Sequence, residues 1–197
     1  MIKINPNEQL PKALYKLLIG SVIPRPIAFV STLNKTNTLN AAPFSYYNIV
    51  SSNPPMIMIS VGKRDGKLKD TAENILRNES FVVHATTEGI LEKVNQTSAN
   101  LAANISEVDW VNLTKIESEK ITTPGIKEAL VRFECTLYQH VALPNSDMFI
   151  GKIEMMHFAD SIYENGKINP DQLKPVARLA GNDYTTLGTI KTLERPE

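Results

Sequence analysis

The hydrophobic pattern along this chain is mainly that of strands, interrupted by a few short helical windows. Residues 10–19 carry Leu14, Leu17 and Leu18 at helical spacing and predict a short helix. Residues 22–33 predict a strand entered through Pro24 and Pro26. Asn34, Lys35, Thr36 and Asn37 predict a turn, because asparagine tolerates positive φ and caps turns with its side chain. Residues 38–47 read as the returning strand. Residues 56–61, MIMISV, are a continuous apolar run of the buried-strand kind. Further strands are predicted over 80–85, 129–143 and 148–160, the last two joined by a turn at 144–147. Residues 70–77, with Asp70 as N-cap, and residues 88–96 predict helices. Residues 113–119 alternate weakly, 100–110 suit no single element, and Asn165-Gly166 marks a hairpin tip or loop. Long strands outnumber helices, and the helices are inserted between strands. That order favours a mainly β, antiparallel barrel with accessory helices over a parallel βαβ sheet. There is no repeat, low-complexity tract or linker, so residues 1–197 are expected to form one domain.

Composition narrows the function classes. Twenty-one basic residues balance twenty-one acidic ones, so no broad basic surface for nucleic acid or anionic membrane is indicated. No apolar run is long enough to cross a bilayer, and the first twenty residues lack a signal-peptide pattern. The single cysteine, Cys135, excludes an internal disulfide and a CxxC pair. These features together predict a cytoplasmic protein. The N-x-S/T triplets at Asn78, Asn95, Asn104 and Asn112 then carry little meaning.

The candidate chemistry is that of a bound cofactor. There is no GxGxxG, P-loop or GxSxG, and His84, His140 and His157 form no zinc-type spacing. A reacting group is therefore expected to come from a cofactor. Residues 62–71, GKRDGKLKDT, place four basic residues in seven positions between a buried strand and a helix start. Arg64, Lys69, Thr71 and the helix N-terminus suit a phosphate; a solvated charged loop is the alternative. Residues 40–45, NAAPFS, put small side chains where a sheet usually packs large ones. They leave room for a flat polar heterocycle against the backbone, or else form an edge strand rich in turn-prone residues. His157 reads either as a structural strand histidine or as a group that bonds a cofactor or donates a proton. Cys135 reads as a small buried residue.

In order and spacing, the segments GSVIPRPIAFVST, LNAAPFSYYNIVSSNPP, KDTAENILRNESFVVH, VNQTSAN, FECTLYQH, IGKIEMMHFAD and RLAGNDY resemble the flavin reductase-like family. These are the FMN-binding split-barrel proteins that include flavoredoxins. The resemblance covers about residues 15–184. It implies a six-stranded, Greek-key split barrel that works as a homodimer and binds FMN noncovalently near the dimer interface. Thr32, Asn40, Ala41, Ala42, Pro43, Phe44 and Ser45 would form the wall under the isoalloxazine ring. Ser60, Arg64, Lys69, Asp70 and Thr71 would surround the phosphate and ribityl chain. His157, Arg178 and Tyr184 would lie near the flavin, and Asn95 and Thr97 would approach from the partner subunit. His84 stands where relatives often carry asparagine. The implied activity is NAD(P)H-dependent flavin reduction, with electrons passed to free flavin, ferric iron, or another small-molecule or protein acceptor. The alternatives are an FMN electron carrier of the flavoredoxin type and a non-catalytic binding protein on the same barrel.

Overall fold

The computed structural model describes residues 1–102 and 105–196; Asn104, the first residue of its triplet, lies outside them. Seven strands hydrogen-bond into one antiparallel sheet: β1 (Ala28–Leu33), β2 (Leu39–Phe44), β3 (Tyr47–Ser52), β4 (Pro55–Gly62), β5 (Ser80–Ala85), β6 (Val131–Ala142) and β7 (Ser146–Phe158). Their order across the sheet is β2-β1-β5-β6-β7-β4-β3. Four helices matter for the site: α1 (Pro11–Ser21), α2 (Asp70–Asn78), α3 (Leu91–Gln96) and α4 (Glu107–Trp110). Among the described residues no helix is long and apolar enough to cross a membrane.

Alternation decides what each strand face buries. Ala28 and Val30 of β1 join Phe44, Ile57, Ile59, Val61, Phe81, Val83, Cys135, Phe149 and Ile153 in the barrel interior. Helix α2 closes that interior with Ala72 and Ile75. On the opposite face of β1 and β2, Phe29, Leu39 and Ala41 pack against Ile90, Val94, Val108 and Ile126. Strand β1 is thus buried from Ala28 to Thr32 because both of its faces are covered. Six of the seven strands contribute buried side chains to the barrel interior, the number of strands that the resemblance implies. The seventh, β3, is an added edge that contributes only the half-buried Tyr47.

Three sequence expectations change. Residues 22–33 are not one strand: Arg25–Pro26 joins a small separate sheet with Ala177–Arg178 and Tyr184–Thr185, and β1 starts at Ala28. Two prolines within three residues remove the ladder donors there. Residues 38–47 stop at Phe44, and the chain turns into β3, which pairs with β4 instead of β1. Asp70 is not the N-cap of α2. Lys69 holds that position in extended backbone without a side-chain cap bond, and Asp70 sits in the first turn, where it complements the helix dipole. The Asn34 turn forms as expected: its Oδ1 accepts from the Thr36 and Thr38 amides at 2.9 and 2.8 Å, and Asn37 has φ 59°.

One glycine is required by close packing. A Cβ on Gly151 would stand 2.5 Å from Phe81 Cζ and 3.1 Å from Cys135 Cβ, both inside the barrel. Gly151→Ala is therefore expected to cost about 1–3 kcal/mol by overpacking, readable as a lower urea midpoint at unchanged slope.

Candidate functional site

Strand β2 is an edge of the hydrogen-bonded ladder, which is why it tolerates Pro43. Its register sets Ala42 opposite Val30 and Pro43 opposite Phe29. Ala42, Pro43 and Phe44 form one wall of an open groove of about 180 Å³. The other walls are the loop and N-terminus leading into α2, with Arg64, Lys69, Asp70 and Thr71, and the turn after α3, from Thr97 to Leu101. NAAPFS is an edge strand, as one reading expected, and its residues Asn40, Ala42, Pro43 and Phe44 also line the groove.

The basic end of the groove has a distinctive charge balance. Arg64 donates through Nη2 to Asn100 Oδ1, which ties the α2 loop to the α3 turn. Lys69 stands near enough to feel the Arg64 charge: burial first, and that repulsion second, push its ammonium below the usual lysine range. Among the described residues neither Arg64 nor Lys69 is ion-paired. Lys69, at the N-cap of α2, has no side-chain acceptor to offer, so the helix carries no side-chain cap bond there. Thr71 is 2 % exposed and its hydroxyl donates to Asn40 Oδ1 at 3.1 Å, so its one proton is already committed.

Asn40 is the hub beside that end. Its Nδ2 donates to both Glu107 carboxylate oxygens at 3.1 Å, and its Oδ1 also accepts from Thr32 Oγ1 at 3.3 Å. Glu107 further accepts the Ala41 amide at 3.2 Å, using a free edge amide of β2. Burial is the main cause that lifts the Glu107 carboxyl above its usual range. Thr32 in turn accepts from Asn74 Nδ2 at 3.0 Å. The chain Asn74–Thr32–Asn40–Glu107 fixes the groove's rear wall to α2 and α4.

A second chamber of about 290 Å³ opens beside the first and shares Pro43, Phe44 and Ser98 with it. Ser45, Asn95, Arg178 and Tyr184 line it, together with Arg25. The Tyr184 hydroxyl donates to Asn95 Oδ1 at 2.8 Å, and the Arg178 guanidinium lies 4.4 Å from the Tyr184 ring centre.

The structure therefore gathers Asn40, Ala42, Pro43, Phe44, Ser45, Arg64, Lys69, Asp70, Thr71, Asn95, Thr97, Arg178 and Tyr184 around two joined chambers. Six placements differ from expectation. Thr32 and Ala41 are wholly buried and support the wall from behind. Ser60 lies in β4, where its amide bonds Tyr46 O at 2.8 Å, and lines neither chamber. Asn95 and Thr97 line the chambers from this same chain. His157 is absent from both linings. The register runs Pro43–Phe29–His84–Arg132–His157, four strand spacings, or about 19 Å along the sheet. There His157 Nε2 bonds the buried Glu134 carboxylate at 2.7 Å, a structural role. Glu107 in the groove and Arg25 in the second chamber are two of the lining residues that sequence reading missed. A lone arginine in the apolar run IPRPIAF was the available signal for the second.

Residues 19–173 match the flavin reductase like domain, and the chain belongs to that family. It is similar to nitrilotriacetate monooxygenase component B from Bacillus cereus, at 47% identity and TM-score 0.96, with 98% of each chain covered. It is also similar to the 2-nitrobenzoate 2-nitroreductase NbaA of Pseudomonas fluorescens, at 31% identity and TM-score 0.91, over 99% of this chain and 96% of that one. A putative flavin reductase with a split barrel domain from Shewanella frigidimarina shares the fold, at 19% identity and TM-score 0.86 over the full length of both chains.

Proposed function

We propose that this chain is an FMN-dependent oxidoreductase that takes hydride from NAD(P)H and passes electrons to free flavin, ferric iron or another acceptor. The observation that carries this reading is the unpaired Arg64–Lys69 couple at the end of a groove walled by small residues. Two like charges brought together without an ion-pair partner lower each other's stability unless an anion joins them. FMN has the matching chemistry, a phosphate dianion joined to a planar ring, and when bound it supplies the hydride-accepting centre. Arg64, Lys69 and the α2 amides would hold the phosphate. Ala42, Pro43 and Phe44 would bear the ring, and the Asn40–Glu107 network would keep that wall fixed. The oxidoreductase chemistry of the B. cereus and P. fluorescens relatives supports the same reading.

We further place this activity in a cytoplasmic homodimer built from one domain per chain. Support for self-association comes from the apolar side chains left on α1 and β3: Leu18 is 59% exposed and Ile49 72%.

The wall can be tested without touching a charge. Ala42→Leu fills the groove beside Phe44, and FMN affinity is expected to fall by about tenfold or more through steric exclusion. Normal FMN binding in that variant would mean the ring lies elsewhere. The activity is tested by anaerobic addition of NADH and NADPH to FMN-loaded protein. Rapid bleaching of the visible flavin bands by either one is expected. Bleaching only by dithionite would instead mark an electron carrier.

A further inference from the structure

The second chamber has a charge that the flavin phosphate does not use. Arg25 is 7% exposed, and among the described residues it has no acidic partner. Its guanidinium donates to the carbonyls of Ile19, Val22 and Leu179 at 2.8, 2.6 and 2.9 Å, and to Ser45 Oγ at 3.3 Å. These bonds fix its geometry but leave its positive charge uncompensated. Buried charges are ordinarily paired, because desolvation without an opposite charge is costly.

Arg178 adds a second cation to the same chamber. It is held in place by the Tyr184 ring and by a bond to Gly181 O, where the chain turns through φ +58°. Only one of its donors is used in this way. Among the described residues no aspartate or glutamate lines the chamber. The remaining surface is rich in aromatic groups, with Phe44, Tyr15, Tyr46 and Tyr184. Two guanidiniums, no acid and several ring faces match an anion carried on a flat ring. At about 290 Å³ the chamber is at the small end of ligand pockets.

We propose that this chamber binds a planar aromatic carboxylate next to the flavin groove, with the carboxylate on Arg178 in the field of Arg25 and the ring against Phe44 and Tyr46. The assignment of a flavin to the neighbouring groove rests on the proposed function; the chamber's preference for the anion does not.

The test is calorimetric titration of benzoate, benzamide and inorganic phosphate into FMN-free and FMN-loaded protein. Benzoate is expected to bind both forms, about tenfold or more tighter than benzamide or phosphate. Arg178→Gln is expected to abolish the preference for benzoate over benzamide, and Arg178→Lys to retain part of it. Equal binding of benzoate and benzamide overturns the proposal. So does a preference that survives Arg178→Gln. Phosphate binding as tightly as benzoate reduces the chamber to a general anion patch and overturns it too. Displacement of benzoate by FMN overturns the placement beside the flavin. A protein that selects benzoate but never takes FMN supports this inference and removes the proposed function instead.

Discussion

Replacing Arg64 and Lys69 together with alanine is expected to weaken FMN binding by about two to four orders of magnitude, the sum of two charge-assisted contacts. The FMN-free protein should keep its unfolding midpoint. In the empty groove these residues contribute little to the fold, since Arg64 holds only Asn100 and Lys69 is destabilised by burial and by Arg64. That asymmetry separates a ligand site from an ordinary charged loop. In the loop alternative the double variant has no effect on FMN, because exposed lysines and arginines hold nothing in place. Fluorescence titration of FMN into both proteins, beside thermal melts of the FMN-free forms, measures both halves of the prediction.

His84→Ala is expected to destabilise the chain by about 3–5 kcal/mol, the largest effect foreseen for a single residue. The His84 ring is fully buried between two strands. Nε2 accepts the Ile126 amide at 2.9 Å, so Nδ1 must carry the proton and donate to Phe29 O at 2.7 Å. Alanine leaves a cavity and strands both backbone groups. Because the neutral ring is required, burial lowers its pKa from 6.5 to about 4. The folded pKa lies below the unfolded one, so the unfolded chain binds more protons between these values. The stability from His84 is complete above about pH 6.5 and is lost as pH falls toward 4, by about 3 kcal/mol in all. His84→Asn lacks this titration. Urea unfolding of both proteins from pH 7 to pH 4 should show the wild type losing its advantage in that window. Parallel curves would contradict the tautomer and burial assigned here.

The same histidine shows how far sequence reasoning reached. The pattern SFVVHA set β5 at residues 80–85, because consecutive apolar residues demand two covered faces. It could not show that His84 would be satisfied by Phe29 and Ile126, which are distant in the chain. The site follows the same division. Local rules located the basic loop before α2 and the small residues of β2. What joins them is long-range: Arg64 to Asn100 across 36 positions, Asn40 to Glu107 across 67, and Arg25 to Leu179 across 154. No periodicity encodes such contacts. His157 fails for a related reason. Alternation predicts which face of a strand a residue occupies, but not how many strands separate it from the groove. Ser60 fails in the same way, since β4 borders the barrel interior without lining either chamber. Arg25 stands apart: a cation among prolines and aliphatic residues is legible as a buried charge, and only its partners need the fold.

The central claim is that the Arg64–Lys69 end of the groove holds the phosphate of a flavin whose ring lies along Ala42–Phe44. The most direct measurement compares FMN with riboflavin, which carries the same ring without the phosphate, by fluorescence titration into the flavin-free protein. The account predicts saturable binding of FMN, and binding of riboflavin weaker by about a hundredfold or more. Equal affinities, or no binding of FMN at all, would contradict it.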